Sequence, residues 1–158
     1  EVPNVIGMIA GSDSVLKDEY IVIGAHFDHL GYGGSGSGSL APDSAVVHNG
    51  ADDNASGIAG ILELGQKLSF NKKLLKRSII LMAYNAEEEG LLGSKYYVNN
   101  PTIDLSSVIA MINMDMIGRM SDNKVTIGGT GTSPGFETLL NDVNEKKEMQ
   151  LKMKLKKK

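Results

Sequence analysis

Apolar residues in this chain fall into two kinds of run. Short, nearly unbroken ones read as strands: "VIGMIA" from Val5, "YIVIGA" from Tyr20, "SIILMAY" from Ser78 and "VIAMINM" from Val108. The last two are apolar almost throughout, as strands covered on both faces are, and are expected to be central. The first two are expected to pair as a hairpin across the polar turn "GSDSVLKDE". Between these runs the apolar spacing becomes helical. From Asn54 onward, Ile58, Ile61, Leu62 and Leu68 share one helical face, and a second helix is predicted over Leu91 to Asn99, ahead of "NNP". A third is predicted from about Pro134 to Lys147, with Pro134 near its first turn and Phe136, Leu139, Leu140 and Val143 on one face. "KVTIGG" and the period-two tail 151–158, "LKMKLKKK", add two short strands. The alternation predicts an α/β fold with a mixed, mostly parallel central sheet flanked by helices on both faces. Residues 31–47 are rich in glycine and serine and predict a flexible loop.

Composition narrows the classes. With 158 residues and 41% apolar content, 1–158 is expected to be a single domain with a real core. A formal charge of −3 argues against a nucleic-acid partner, because the basic residues cluster mainly in the tail. No apolar run is long enough for membrane insertion as a spanning helix. With no cysteine, a metal here would have to be held by His, Asp and Glu. The chain starts without methionine and stops on a strand-like tail, so it is expected to be a partial domain, incomplete at the C-terminus.

Candidate chemistry gathers where the strand-like runs end. "YIVIGA" is followed by His26, "SIILMAY" by Asn85, Ala86, Glu87, Glu88 and Glu89, and "VIAMINM" by Asp115. In open α/β sheets ligands bind outside the carboxyl ends of the strands, so these groups converge if the strands are parallel neighbours. "HNGADDNASG" contributes Asp52 and Asp53 at the start of the first helix, where the helix dipole favours an anion. Each residue alone has an ordinary reading. His26 can be structural, Glu87 to Glu89 a solvated first turn, and Asp52 or Asp53 an N-cap. Asp115 is expected near the core, where an unpaired charge is costly. Their conjunction at one sheet edge favours a metal site. One imidazole with several carboxylates suits zinc, cobalt or manganese. Asp28, two residues beyond His26 on an extended chain, is placed to accept the imidazole's other N–H.

"GAHFDH", "NGADDNASG", "AEEEGLLGS" and "NMDMIGR" occur in the order and at the spacing of family M28, and the chain resembles its co-catalytic metallo-aminopeptidases from about Tyr20 to Gly131. The resemblance implies a three-layer zinc-exopeptidase-like fold and two zinc ions, for which Co2+ or Mn2+ could substitute. It implies that His26 and Asp115 hold one zinc, that Asp52 bridges both, that Glu88 holds the second and that Glu87 is the general base. It also implies a cis peptide between Asp52 and Asp53, with Asp53 holding the turn beside the bridge. Glu89 takes no role. The family draws a further histidine for the second zinc from a C-terminal segment this chain does not contain, and the tail 151–158 resembles the strand leading there. His29 is read as a hydrogen-bonding or loop residue, and His48 as lining the site or capping a turn. Arg119 and "GGTGTSPG" are candidates to border a substrate pocket, but no substrate-binding residue is assigned.

The implied reaction is hydrolysis of the peptide bond after a free N-terminal residue, by a metal-activated water with Glu87 as base. The parent protein is expected to be active and this span impaired without the missing histidine. A periplasmic or secreted location is expected by the same resemblance. Two alternatives stand beside this reading. One is a glutaminyl-cyclase-like transferase with a single zinc, and the other is a non-catalytic binding module on the same fold.

Overall fold

A computed structural model describes residues 3–146 and 150–158. They form two compact units, Glu1–Gly118 and Arg119–Lys158. The first is built on a four-stranded sheet of β1 (Val5–Ile9), β2 (Tyr20–His26), β3 (Ser78–Tyr84) and β4 (Val108–Asn113), in the order β1-β3-β2-β4. β2 runs parallel to both β3 and β4, while β1 is antiparallel to β3. Helices α1 (Gly57–Phe70) and α2 (Leu92–Asn99) complete the unit.

Successive strand side chains point to opposite faces, so β2 and β3 each feed two cores. Val22, Ile80, Met82 and Tyr84 pack with Tyr97 of α2 on one face. Ile23, Ala25 and Ile79 pack with Ile61 of α1 on the other, joined by Ile58, Leu64 and Leu68. The result is the expected α/β arrangement, a mixed sheet with a helix on each face.

The expected hairpin of the first two strands is replaced by pairing of β1 with β3. The connection between β1 and β2 is tied across the start of β3 instead. Ser12 N–H donates to Leu75 O at 2.7 Å, Gly11 N–H to Ser78 Oγ at 3.0 Å, and the Ser78 hydroxyl donates to Lys17 O at 2.6 Å. These bonds carry the chain under β3 and deliver β2 to its far side. β3 is central, as expected, but β4 is an edge strand among the described residues. Ile109, Met111 and Ile112 are each about half exposed. A continuous apolar run marks a strand without saying how many neighbours it has.

In the second unit, β5 (Lys124–Ile127) and β6 (Lys152–Leu155) pair in parallel, with α3 (Phe136–Glu145) between them in sequence. Lys147, the predicted end of that helix, lies outside the described residues. Asn144 and Leu151 exchange two 2.8 Å hydrogen bonds, which fix the approach to β6. Thr130 is buried, and its hydroxyl donates to Lys156 O. No helix among the described residues is long and apolar enough to cross a membrane.

Candidate metal centre at the carboxyl edge of the sheet

His26 is the last residue of β2 and is 4% exposed. Its Nδ1 lies 3.1 Å from the backbone carbonyl of Asp28. A carbonyl only accepts, so this contact assigns the proton to Nδ1 and leaves the Nε2 lone pair facing outward. Nε2 lies 3.1 Å from Asp53 Oδ1 and 3.5 Å from Asp115 Oδ1. The imidazole is thus oriented by Asp28 as expected, but through the main chain. The nearer carboxylate oxygen of Asp28 is 3.7 Å away, too far for a hydrogen bond.

The Asp28 carboxylate has a different task. Oδ1 accepts the N–H of Glu87 at 3.0 Å and Oδ2 the N–H of Glu88 at 3.1 Å. Together these bonds strap the turn that follows β3 to the end of β2. The same turn is anchored by the residue just before β1, since Asn4 Oδ1 accepts the Asn85 N–H while Asn4 Nδ2 donates to Gly93 O in the first turn of α2. Ala86 opens the turn with a left-handed φ of 51°. Glu88 Oε1 lies 2.8 Å from Nδ1 of His29, which also stands 3.9 Å from Asp53 Oδ2. Glu89 is exposed.

The two adjacent aspartates point in different directions. Asp53 turns one oxygen to His26 and the other to His29. Asp52 Oδ1 instead accepts the Gly118 N–H at 2.8 Å, and its main-chain carbonyl accepts the Ser56 hydroxyl at 2.6 Å. Asp53 therefore occupies the shared position expected of Asp52, and the cis peptide joins Asp53 to Asn54 rather than Asp52 to Asp53. Backbone geometry explains the exchange. Asp53, at φ −105° and ψ 96°, leaves the helical path of the turn Ala51–Ser56, and this swings its side chain toward the sheet.

Asn54, unassigned in the sequence, holds this arrangement together. It is 1% exposed; Nδ2 donates to Met114 O at 3.0 Å, and Oδ1 accepts the N–H of Gly57 at 3.0 Å and of Met116 at 3.2 Å. Asp115, between those two methionines, is 51% exposed rather than near the core. Its carboxylate reaches the site from the rim, so burial was the wrong argument for it.

Two donor sets result, His26 with Asp53 and Asp115, and His29 with Asp53 and Glu88. Within each, one ligand atom per residue lies within 4.8 Å of the others. Electrostatics mark the site as strongly anionic. Burial pushes the Glu87 carboxyl above its ordinary range; Glu88, Asp115 and Asp28 add to this, and His26 opposes it. Burial pulls the His26 imidazole down, but Glu87, Asp115, the Asp28 carbonyl and Asp53 outweigh it and hold its pKa above the usual value. Asp28, Asp53, Glu87, Glu88 and Asp115 crowd around two imidazoles, a donor set that suits divalent cations of the zinc type.

His48, read from the sequence as lining the site or capping a turn, stands behind His29, its ring edge-on at 6.1 Å. The loop before it is closed by a Tyr32–Val47 bridge and by the His48 N–H donating to Gly31 O at 2.8 Å.

The comparisons agree with this architecture. The chain is 30% identical over 122 residues to a probable zinc metalloprotease of Phaeosphaeria nodorum, covering 74% of this chain and 24% of that protein. It is 35% identical over 106 residues to leucine aminopeptidase 1 of Leptosphaeria maculans, covering 65% and 25%. The crystal structure of LapB from Legionella pneumophila superposes with a TM-score of 0.68 at 26% identity, over 97% of this chain and 38% of that one. The chain thus spans about a quarter of the length of these curated relatives. Residues 4–157 match the model of peptidase family M28, so the chain belongs to that family.

Proposed function

We propose that this span carries the catalytic edge of a zinc-dependent aminopeptidase, which hydrolyses the peptide bond after a free N-terminal residue. The observation that carries the reading is the position of Asp53, with Oδ1 toward His26 and Oδ2 toward His29. A carboxylate facing two donor sets is what a pair of neighbouring divalent cations requires. In these donor sets the carboxylates also exceed the histidines, a negative charge that bound cations would offset.

Bound divalent cations supply Lewis acidity, which acidifies water and polarises a carbonyl. His26 offers Nε2, its tautomer set by the Asp28 carbonyl, and Asp115 and Asp53 offer one oxygen each on that side. Glu87 is the general base. It accepts a proton from the attacking water as the C–O bond forms, then passes that proton to the departing amine nitrogen as the C–N bond breaks. Its raised pKa suits both halves of the transfer. Asp28 positions Glu87 by gripping its N–H together with that of Glu88, so the base and the neighbouring donor move as one unit. The name of the Leptosphaeria relative supports an aminopeptidase over other peptidases of the family.

The test uses the chain loaded with zinc or cobalt and assayed on aminoacyl p-nitroanilides alongside N-acetylated counterparts. Metal-dependent release from free-amine substrates alone, abolished by a chelator, is expected. Equal cleavage of blocked substrates would overturn the exopeptidase reading, and failure to bind any metal would overturn the whole proposal.

A further inference from the structure

We propose that Asn49 is a site of spontaneous deamidation, whose isoaspartate product loosens the turn that presents Asp53 and so gives the site a chemical lifetime. The inference concerns a covalent change in the chain itself. It goes beyond the metallopeptidase reading and does not depend on it.

The reaction needs a mobile carboxamide next to an unhindered main-chain nitrogen. The Gly50 nitrogen, on losing its proton to solvent base, attacks the side-chain carbonyl carbon of Asn49. A new C–N bond forms there, the bond to the carboxamide nitrogen breaks, and ammonia leaves with a proton from solvent, giving a cyclic succinimide. Water then opens the ring. Opening at the former side-chain carbonyl gives aspartate; opening at the main-chain carbonyl gives isoaspartate, in which the main chain runs through the old side chain. No electrons are transferred, and water is the co-reactant. A Cβ on the following residue obstructs the attack, so glycine is the most permissive residue there.

Asn49 meets these conditions. It is the only asparagine in the sequence followed by glycine. Its side chain is exposed. Among the described residues neither its carboxamide nor the Gly50 N–H has a hydrogen-bond partner. Other asparagines are held. The carboxamides of Asn4, Asn71, Asn99 and Asn144 donate to main-chain carbonyls at 2.8–2.9 Å. Asn54 is buried and bonded through both its nitrogen and its oxygen.

The consequence follows from what Gly50 touches. Gly50 has φ +65°, and a Cβ there would meet His29 Cβ at 3.0 Å and Asp53 O at 3.1 Å. Its carbonyl accepts the Ala55 N–H at 3.0 Å, which closes the turn around Asp52 and Asp53. Isoaspartate lengthens the main chain by one methylene immediately before this packed glycine. Gly50 then has to move against His29 and Asp53 or give up its bond to Ala55. A new carboxylate also joins a segment that already carries two.

The test ages the metal-free full chain in mildly alkaline and mildly acidic buffer and maps its peptides by mass spectrometry, with an isoaspartate-specific methyltransferase as label. Asn49 is expected to be the first asparagine modified, more slowly in acid, where the Gly50 nitrogen keeps its proton. The modified chain, separated by ion exchange, should show a lower urea midpoint and bind zinc about 10- to 100-fold more weakly. Asn49→Gln, whose extra methylene disfavours ring closure, should stay unmodified and keep both properties on ageing. Asn49→Asp carries the charge without the longer main chain and should retain most of the affinity. An Asn49 that survives while a peptide of the same local sequence is converted overturns the inference. So does a modified chain with the midpoint and zinc affinity of the parent; both leave the metallopeptidase reading standing. Unaged chain that binds no zinc removes that reading, while the peptide map and the urea midpoint still decide this one.

Discussion

The Asn54 carboxamide brackets Asp115, donating to the carbonyl of Met114 and accepting the N–H of Met116. It thereby ties the turn that presents Asp53 to the loop that presents Asp115. Asn54→Ala leaves three backbone groups without these partners in a buried place. An expected loss of about 3 kcal/mol should appear as a lower urea midpoint with an unchanged slope. Zinc affinity at the His26 set should fall by about 10- to 100-fold. A variant with wild-type affinity would mean that the two segments hold their places without Asn54.

Asp52 and Asp53 separate cleanly by substitution. Asp53→Ala removes an oxygen from both donor sets, so binding of both zinc ions should be lost in a calorimetric titration. Asp52→Ala removes the acceptor of the Gly118 N–H and should keep two zinc ions, with a stability loss of about 1 kcal/mol. The opposite pattern would restore Asp52 to the shared position.

This pair also marks the limit of what the sequence could convey. Strand ends, helix starts and the convergence of His26, Glu87, Glu88 and Asp115 follow from apolar periodicity and the rule for parallel sheets, and the structure brings these residues to one edge. Which of two adjacent aspartates faces that edge depends on the backbone angles at Asp53, and two identical neighbours carry no periodic signal for that. His29 was legible as a hydrogen-bonding residue, but its partner Glu88, 59 positions away, was not. Asn54 was invisible for a similar reason, since its partners beyond β4 lie about 60 residues on. The pairing of β1 with β3 is decided by bonds to Ser78 and Leu75 that no local pattern announces.

Asp28→Ala tests whether the strap on the Glu87–Glu88 turn matters to catalysis. It frees two backbone N–H groups and removes no donor of either set. Turnover on aminoacyl p-nitroanilides is expected to fall by about 10- to 100-fold with two zinc ions still bound. Asp28→Asn retains one acceptor oxygen and should recover part of the loss. Unchanged turnover in both variants would show that the turn is held by Asn4 and Asn85 alone.

Metal removal should weaken the fold. A site at 100 times its Kd adds about 2.7 kcal/mol to stability, which for a chain of this length shifts Tm by roughly 5–10 °C. Differential scanning calorimetry with chelator, then with zinc, should show a rise of that order that depends on zinc concentration. Without metal the carboxylates repel one another, so added salt should stabilise the stripped chain more than the loaded one. An identical Tm in both states would mean that the site is occupied too weakly to be a resident metal centre.

Glu87→Gln should separate stability from catalysis. The ionised Glu87 carboxylate is disfavoured by burial and by Glu88, Asp115 and Asp28, so its pKa lies above the ordinary value in the fold. A folded-state pKa above the unfolded one means that the ionised form opposes folding at neutral pH. That opposition fades as pH falls through the raised value and is gone below the ordinary carboxylate range. The metal-free Glu87→Gln chain should therefore be more stable than the parent at pH 7, by chemical denaturation, with the difference closing as the solution is acidified. The same substitution removes the proton acceptor, so zinc-loaded Glu87→Gln should bind two metals and lose about 10²- to 10⁴-fold in turnover. A variant that is less stable at pH 7 would show that the ionised carboxylate does not oppose folding, and one that keeps full turnover would remove Glu87 from the role of base. Gain of stability together with loss of rate is the signature of a charge held in place for chemistry, at the expense of the fold.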